Sequence, residues 1–179
     1  MPRSPSRTMS TLDGIARGVA ASAVGTLAMD ASLYHRYRHD GGDAGFASWE
    51  SSEGVVGWED APAPARVAKR LLEAVTGHDV PPRYARALNN ATHWAFGLGA
   101  GAGYGLLLGS RHESKIAYGI PFGAAVWAGG YVVLPQLGVY ESIWDYDLET
   151  LGRDLGAHLV FGTATAVAFR LLSHGAVDR

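Results

Sequence analysis

LNNATHWAFGLGAGAGYGLLLGS, residues 88–110, holds no Asp, Glu, Lys or Arg and carries Gly97, Gly101, Gly105 and Gly109 at four-residue intervals. In water each glycine inside a helix costs about 1 kcal/mol relative to alanine, so the run is poorly suited to an ordinary soluble helix. In a bilayer the same spacing lets two backbones approach closely, and van der Waals packing replaces the hydrophobic drive that lipid does not supply. The stretch predicts a transmembrane helix with a glycine packing face.

A hydrocarbon core about 30 Å thick takes roughly 20 helical residues, and three further segments meet or approach that length. Residues 116–135 are free of charge, with Pro121 near the start and Pro135 where a helix is expected to kink or stop. Residues 151–172 have an apolar centre bounded by Arg153 and Asp154 on one side and Arg170 on the other. Residues 12–34 are rich in Ala and Gly, with Asp13 and Arg17 near the start and Asp30 near the end. This first segment also resembles a secretory leader, since Arg3 and Arg7 precede it and Ala21-Ser22-Ala23 looks like a cleavage site. It lacks the large apolar residues of a leader core, and retention as a span is the expectation.

The predicted fold is therefore all-α: an integral membrane four-helix bundle with Gly/Ala-rich packing and one extra amphipathic helix in the long first loop. That helix is expected at about 64–77, inside the loop 35–87. Val67, Leu71, Leu72 and Val75 lie on one side there, and Arg66, Lys69, Arg70 and Glu73 elsewhere. It suits the membrane surface or a cap on the bundle. Residues 41–63 are polar and glycine-rich, and their pattern does not decide between loop and helix.

Arg and Lys in short loops mark the cytoplasmic side. Arg111 and Lys115 place 111–115 inside, and the acidic loop 136–150, with Glu141, Asp145, Asp147 and Glu149, falls outside. The tails 1–11 and 173–179 are then both cytoplasmic, and 35–87 is an outer loop. Trp49, Trp58, Trp144, Tyr140 and Tyr146 suit an outer aromatic belt. The predicted location is a bacterial cytoplasmic (inner) membrane, with the lipid bilayer as first partner.

The chain has 179 residues and a net charge of -2, so one domain is expected and nothing argues for nucleic acid. A mean hydropathy of +0.02 averages the polar 35–87 region with strongly apolar ones. Cysteine is absent, which excludes disulfides, thiolate metal sites and cysteine nucleophiles. Gly97, Gly99 and Ala102 match a Gly-x-Gly-x-x-Ala dinucleotide pattern, but no strand precedes them and no second strand leads to an acidic residue. The acidic loop lacks EF-hand spacing and its turn glycine. Neither a Walker motif nor Gly-x-Ser-x-Gly is present. No cofactor is expected, and the chain reads as non-enzymatic.

Reading every fourth residue gives three rows: Gly14, Gly18, Ser22, Thr26, Asp30; Asn89, His93, Gly97, Gly101, Gly105, Gly109; and Asp154, His158, Gly162, Ala166. Neighbours in a row share a helix surface, and each row is small along its length and polar at one end. Under the predicted topology Asp30, Asn89, His93, Asp154 and His158 all fall at the outer end. As a structural set they hydrogen-bond between helices. As a functional set they are a candidate proton- or cation-handling cluster, because ionisable groups in spans mark such pathways. Asp154 and His158, spaced i,i+4, also permit a shared metal. Gly14, Gly18, Gly97, Gly101, Gly105 and Gly109 are the expected helix-packing residues. Four glycines in one row exceed what one neighbour requires, which raises a homo-oligomer or another membrane protein as partner.

HWAFGLGAGAGYGLL (93–107), YGIPFG (118–123) and GAHLVFG (156–162), with a looser match at GTLAMD (25–30), resemble the YagU-like family of small bacterial inner-membrane proteins. The resemblance covers about 88–172 and leaves 35–87 unmatched. It implies a multi-span helical protein associated with acid tolerance, whose span-initial histidines resemble His93 and His158 in placement. The leading functional expectation is an assembly or envelope and acid-stress-related membrane protein of unassigned activity. A proton or small-cation transporter using the outer Asp/His cluster is the alternative, and a metal-dependent membrane enzyme the second alternative.

Overall fold

The computed structural model describes residues 10–109 and 116–174. The predicted inner connection 111–115, residues 1–9 of the first tail and residues 175–179 of the last lie outside the described residues. Six α-helices are described: α1 (Thr11–His39), α2 (Phe46–Glu50), α3 (Ala63–Thr76), α4 (Ala85–Leu108), α5 (Gly119–Val133) and α6 (Leu148–His174). No strand occurs among the described residues. The expected all-α class is observed, and the amphipathic helix stands at Ala63–Thr76.

Local chemistry sets the ends. Ser10 caps α1, its hydroxyl accepting from the Asp13 N–H at 3.1 Å. At the other end Gly41 takes φ +96°, and the Gly42 N–H donates to the Tyr37 carbonyl at 2.9 Å, a Schellman closure only a residue tolerant of positive φ completes cheaply. α1 therefore runs a turn beyond the expected 12–34. Asp147 opens α6, one carboxylate oxygen accepting from the Thr150 N–H at 2.7 Å and the other from its hydroxyl at 2.8 Å. α5 stops at Val133, two residues before Pro135.

The four long helices are antiparallel neighbours in the spatial order α4, α1, α6, α5, with α3 laid on α4. A Cβ on Gly14 would come within 2.8 Å of the Gly105 carbonyl oxygen, and one on Gly18 within 2.8 Å of the Gly105 Cα. Gly101 faces Ser22 and the Gly18 carbonyl, and Gly97 faces the Thr26 hydroxyl. The two rows thus interlock residue for residue, backbone on backbone. On α1's other side Gly25 meets Thr165 and Phe161 of α6. Gly119 and Gly123 of α5 press on the backbone of α6 at Gly162, Thr163, His158 and Leu159. Tyr104 bridges the two halves, its ring 4.8 Å from Phe122 and 5.4 Å from Phe169.

The interior is small and the exterior large. Buried side chains among the described residues are mostly Ala, with Tyr104, Tyr131, Val139, Phe161 and Phe169, and with Ser22, Thr26 and Thr165 among the most deeply buried. No leucine or isoleucine is among them, whereas Leu27, Phe96, Leu106, Leu107, Ile120, Val132 and Leu171 are exposed. That inverts the soluble pattern, in which Leu, Ile and Val fill the core. Two segments, Ile116–Val133 and Leu148–Ser173, are long and apolar enough to cross a membrane. α1 and α4, at 29 and 24 residues, have the length, but glycine and polar residues dilute their apolarity.

All four glycines of the Gly97 row face α1, so that row supplies no argument for a second neighbour. Gly99 and Gly103 of α4 have nothing within reach of an added Cβ. Gly18→Ala is expected to lower stability in detergent by about 1–3 kcal/mol, because the new methyl meets backbone that no rotamer change moves away. Gly99→Ala is expected to leave stability unchanged or raise it by up to about 1 kcal/mol through helix propensity. Thermal unfolding midpoints of the two variants measure the contrast; equal losses would refute the packing described.

Candidate functional site

Glycine contact along α1 and α4 brings the polar ends of both rows together. Asp30, one turn beyond Thr26, reaches across to His93, one turn before Gly97. The His93 Nε2 lies 3.0 and 3.1 Å from the two carboxylate oxygens of Asp30. The Asp30 side chain is 4 % exposed and that of His93 30 %. Burial of a carboxylate at this level requires a partner, and the imidazole supplies one.

One turn further along α4, Asn89 does not join that pair. Its Nδ2 donates to the Ser52 hydroxyl at 2.9 Å, and its Oδ1 is buried without a hydrogen-bond partner. Ser52 donates in turn to Asn90 Oδ1 at 2.9 Å, while Asn90 Nδ2 and Arg86 Nε each donate to the Ser51 carbonyl at 2.9 Å. Arg86 also faces Glu53 at 3.6 Å. On the α1 side, Phe46 and Trp49 pack on Tyr34 at 5.2 and 5.6 Å between ring centroids. Residues 46–53 therefore form a strap fastened by aromatic packing to α1 and by hydrogen bonds to α4. Ser52 sits at φ +55°, a conformation unfavourable for a residue with a Cβ, and the Asn89 and Asn90 bonds hold it there.

The strap carries Glu50 to the pair. Its Oε1 is buried and makes no hydrogen bond among the described residues. Burial pushes the Glu50 carboxyl above the ordinary carboxylate range and the nearby Asp30 charge adds to that, while His93 and the Trp94 indole act in the opposite sense.

Asp154 and His158 form a second pair on α6. His158 Nδ1 lies 2.9 Å from the Asp154 backbone carbonyl and 3.4 Å from its Oδ1, so the ring turns back on its own helix. His158 and His93 are within Coulombic range of each other. Tyr131, Tyr140 and Tyr146 cluster beside Asp154, with ring centroids 5.4 to 6.1 Å apart. Burial first, then the Asp154 charge, pushes the Tyr140 hydroxyl above its ordinary range. An Arg153–Asp40 contact of 3.7 Å ties the start of α6 to the end of α1 at this same end of the bundle.

The five candidate residues thus share one end but divide in three: Asp30 with His93, Asp154 with His158, and Asn89 on the strap. Among the described residues no group of three His, Asp or Glu side chains is arranged to hold a metal ion. Sequence reasoning missed Glu50, Ser51 and Ser52, which lie in a segment without periodicity. Arg86 and Asn90 were findable, because they continue the polar surface of α4 one turn from Asn89 and His93. Comparison with protein-family models, curated proteins and solved structures finds no match.

Asn90→Ala removes two strap bonds at once, those of Asn90 to Ser51 and Ser52, and leaves the Arg86 and Asn89 bonds in place. At about 1 kcal/mol for each bond, amide exchange in residues 46–53 is expected to speed by about tenfold or more, with exchange in the α1–α4 contact near Gly18 unchanged. Uniform acceleration in both regions would show that the strap is not a separate unit.

Proposed function

We propose that the protein is a four-span membrane bundle that binds protons at the Asp30–His93 pair and passes them between that pair and the aqueous phase. The observation that carries this reading is a carboxylate 4 % exposed, held across a helix interface by an imidazole. Ionisable groups at such depth in membrane helices are expensive and are retained where they handle ions. Histidine is the side chain whose ordinary titration lies nearest physiological pH.

The membrane placement has its own support: large apolar side chains outside, small and hydroxyl-bearing ones inside, and helices that approach through glycine. The topology is that of 12–34, 88–110, 116–135 and 151–172 as spans, both termini cytoplasmic and the strap outside. The association with acid tolerance that the YagU-like resemblance implies fits a proton-binding site. A metal-dependent enzyme draws no support from the arrangement of the described acids and histidines.

A second reading, self-association, rests on a different surface from the one expected. Gly99 and Gly103 lie four apart on an open part of α4, beside the exposed Phe96. Disulfide trapping of a Gly103→Cys variant in membranes tests it; absence of a crosslinked dimer removes it.

For the proton reading, purified protein in liposomes enclosing a pH-sensitive dye is subjected to an external acid step. Wild-type vesicles are expected to acidify faster than protein-free ones, and His93→Gln is expected to abolish most of the difference while Gly99→Ala retains it. Wild-type vesicles no faster than empty ones, or full activity in His93→Gln, would overturn the proposal.

A further inference from the structure

Glu50 is the one acid of the site that no helix periodicity placed there, and the strap that delivers it is hydrogen-bonded to α4 through Ser51 and Ser52. The groups that face it come from two helices: Asp30 from α1, and His93 and Trp94 from α4. His158 of α6 is a further titratable group whose charge bears on His93. One of its oxygens is sealed from solvent without a donor, although the residue as a whole is only partly buried. An ionised carboxylate is poorly accommodated there, because a buried charge needs partners that Oε1 lacks. A carboxyl that carries a proton has no such need.

We propose that Glu50 is a third proton-binding group of this site, exchanging protons between the outer water and the buried Asp30–His93 pair. The assignment rests on the proton-binding reading above and extends it to the entry step. With Asp30 ionised and the His93 ring neutral, Nε2–H donates to the carboxylate and the Nδ1 lone pair is available. In the exchange the O–H bond of the Glu50 carboxyl breaks, a bridging water takes that proton, and the water passes one of its own to Nδ1 of the partly exposed His93. A Glu50 carboxylate is left, with an imidazolium whose Nε2–H remains on Asp30. A proton from water then restores Glu50. The strap bonds from Asn89, Asn90 and Arg86 hold Glu50 at the pair.

The test uses the full chain in liposomes and infrared difference spectroscopy during a pH titration. Wild type is expected to show a protonated-carboxyl C=O band that Glu50→Gln lacks and His93→Gln keeps. Asp30→Asn leaves Glu50 in place but removes the negative charge that helps hold its proton. The band is therefore expected to titrate about one pH unit lower in that variant. A band that survives Glu50→Gln, or a midpoint unmoved in Asp30→Asn, overturns the assignment. Glu50→Gln is also expected to slow the acidification of wild-type vesicles several-fold. An undiminished rate in that variant assigns entry to the partly exposed His93 itself and overturns the relay. In vesicles without any flux, a Glu50 band that shifts in Asp30→Asn still supports Glu50 as a proton-binding group, so this inference and the transport reading fail separately.

Discussion

The rest of the structure depends on the contact of two backbones, α1 on α4, made through Gly14, Gly18, Gly101 and Gly105. A Cβ at any of these positions would meet main chain of the facing helix, so the two backbones are in direct contact. Dispersion falls steeply with distance, so close approach over four turns turns many weak contacts into a substantial attraction without large apolar side chains. The same closeness governs the chemistry above it. Aspartate has a short side chain, and it reaches an imidazole on the next helix only because the axes already lie near each other.

A core built this way has a particular character. Its buried residues are mostly Ala, Gly, Ser and Thr, with aromatic rings where Tyr104 and Phe169 meet the partly buried Phe122. Small residues leave few rotamers to order and hold the helices in one register, since sliding α1 by one turn would lose the pairing of Gly18 with Gly101 and of Asp30 with His93 together. The Asp30–His93 contact is thus a consequence of the register rather than an addition to it. The large apolar side chains, excluded from such an interior, stand on the outer surface.

The segment between α1 and α3 changes the view of the polar end. A five-residue helix has too little hydrogen bonding to stand alone, and α2 is held by Tyr34, Phe46 and Trp49 on one side and by Asn89, Asn90 and Arg86 on the other. Its rigidity is borrowed from the helices it crosses. A carboxyl on such a strap can be positioned as closely as one on a long helix, yet Glu50 stays only partly buried.

The all-α class, the positions of the four long helices and the amphipathic α3 were legible because each follows from local rules: charge-free length, proline stops, and apolar spacing at the helical period. The rows Gly14 to Asp30 and Asn89 to Gly109 were legible as rows, since a four-residue interval is a property of one helix. Which row meets which is a property of two. Only the tertiary structure paired Asp30 with His93, turned His158 back onto Asp154, and spent all four glycines of the Gly97 row on α1. It alone brought Glu50 into the site, because the strap's bonds run between residues 35 to 39 positions apart in the chain. Sequence periodicity records what each helix offers to a neighbour; the neighbour, and the loop that closes over the contact, are decided by packing in three dimensions.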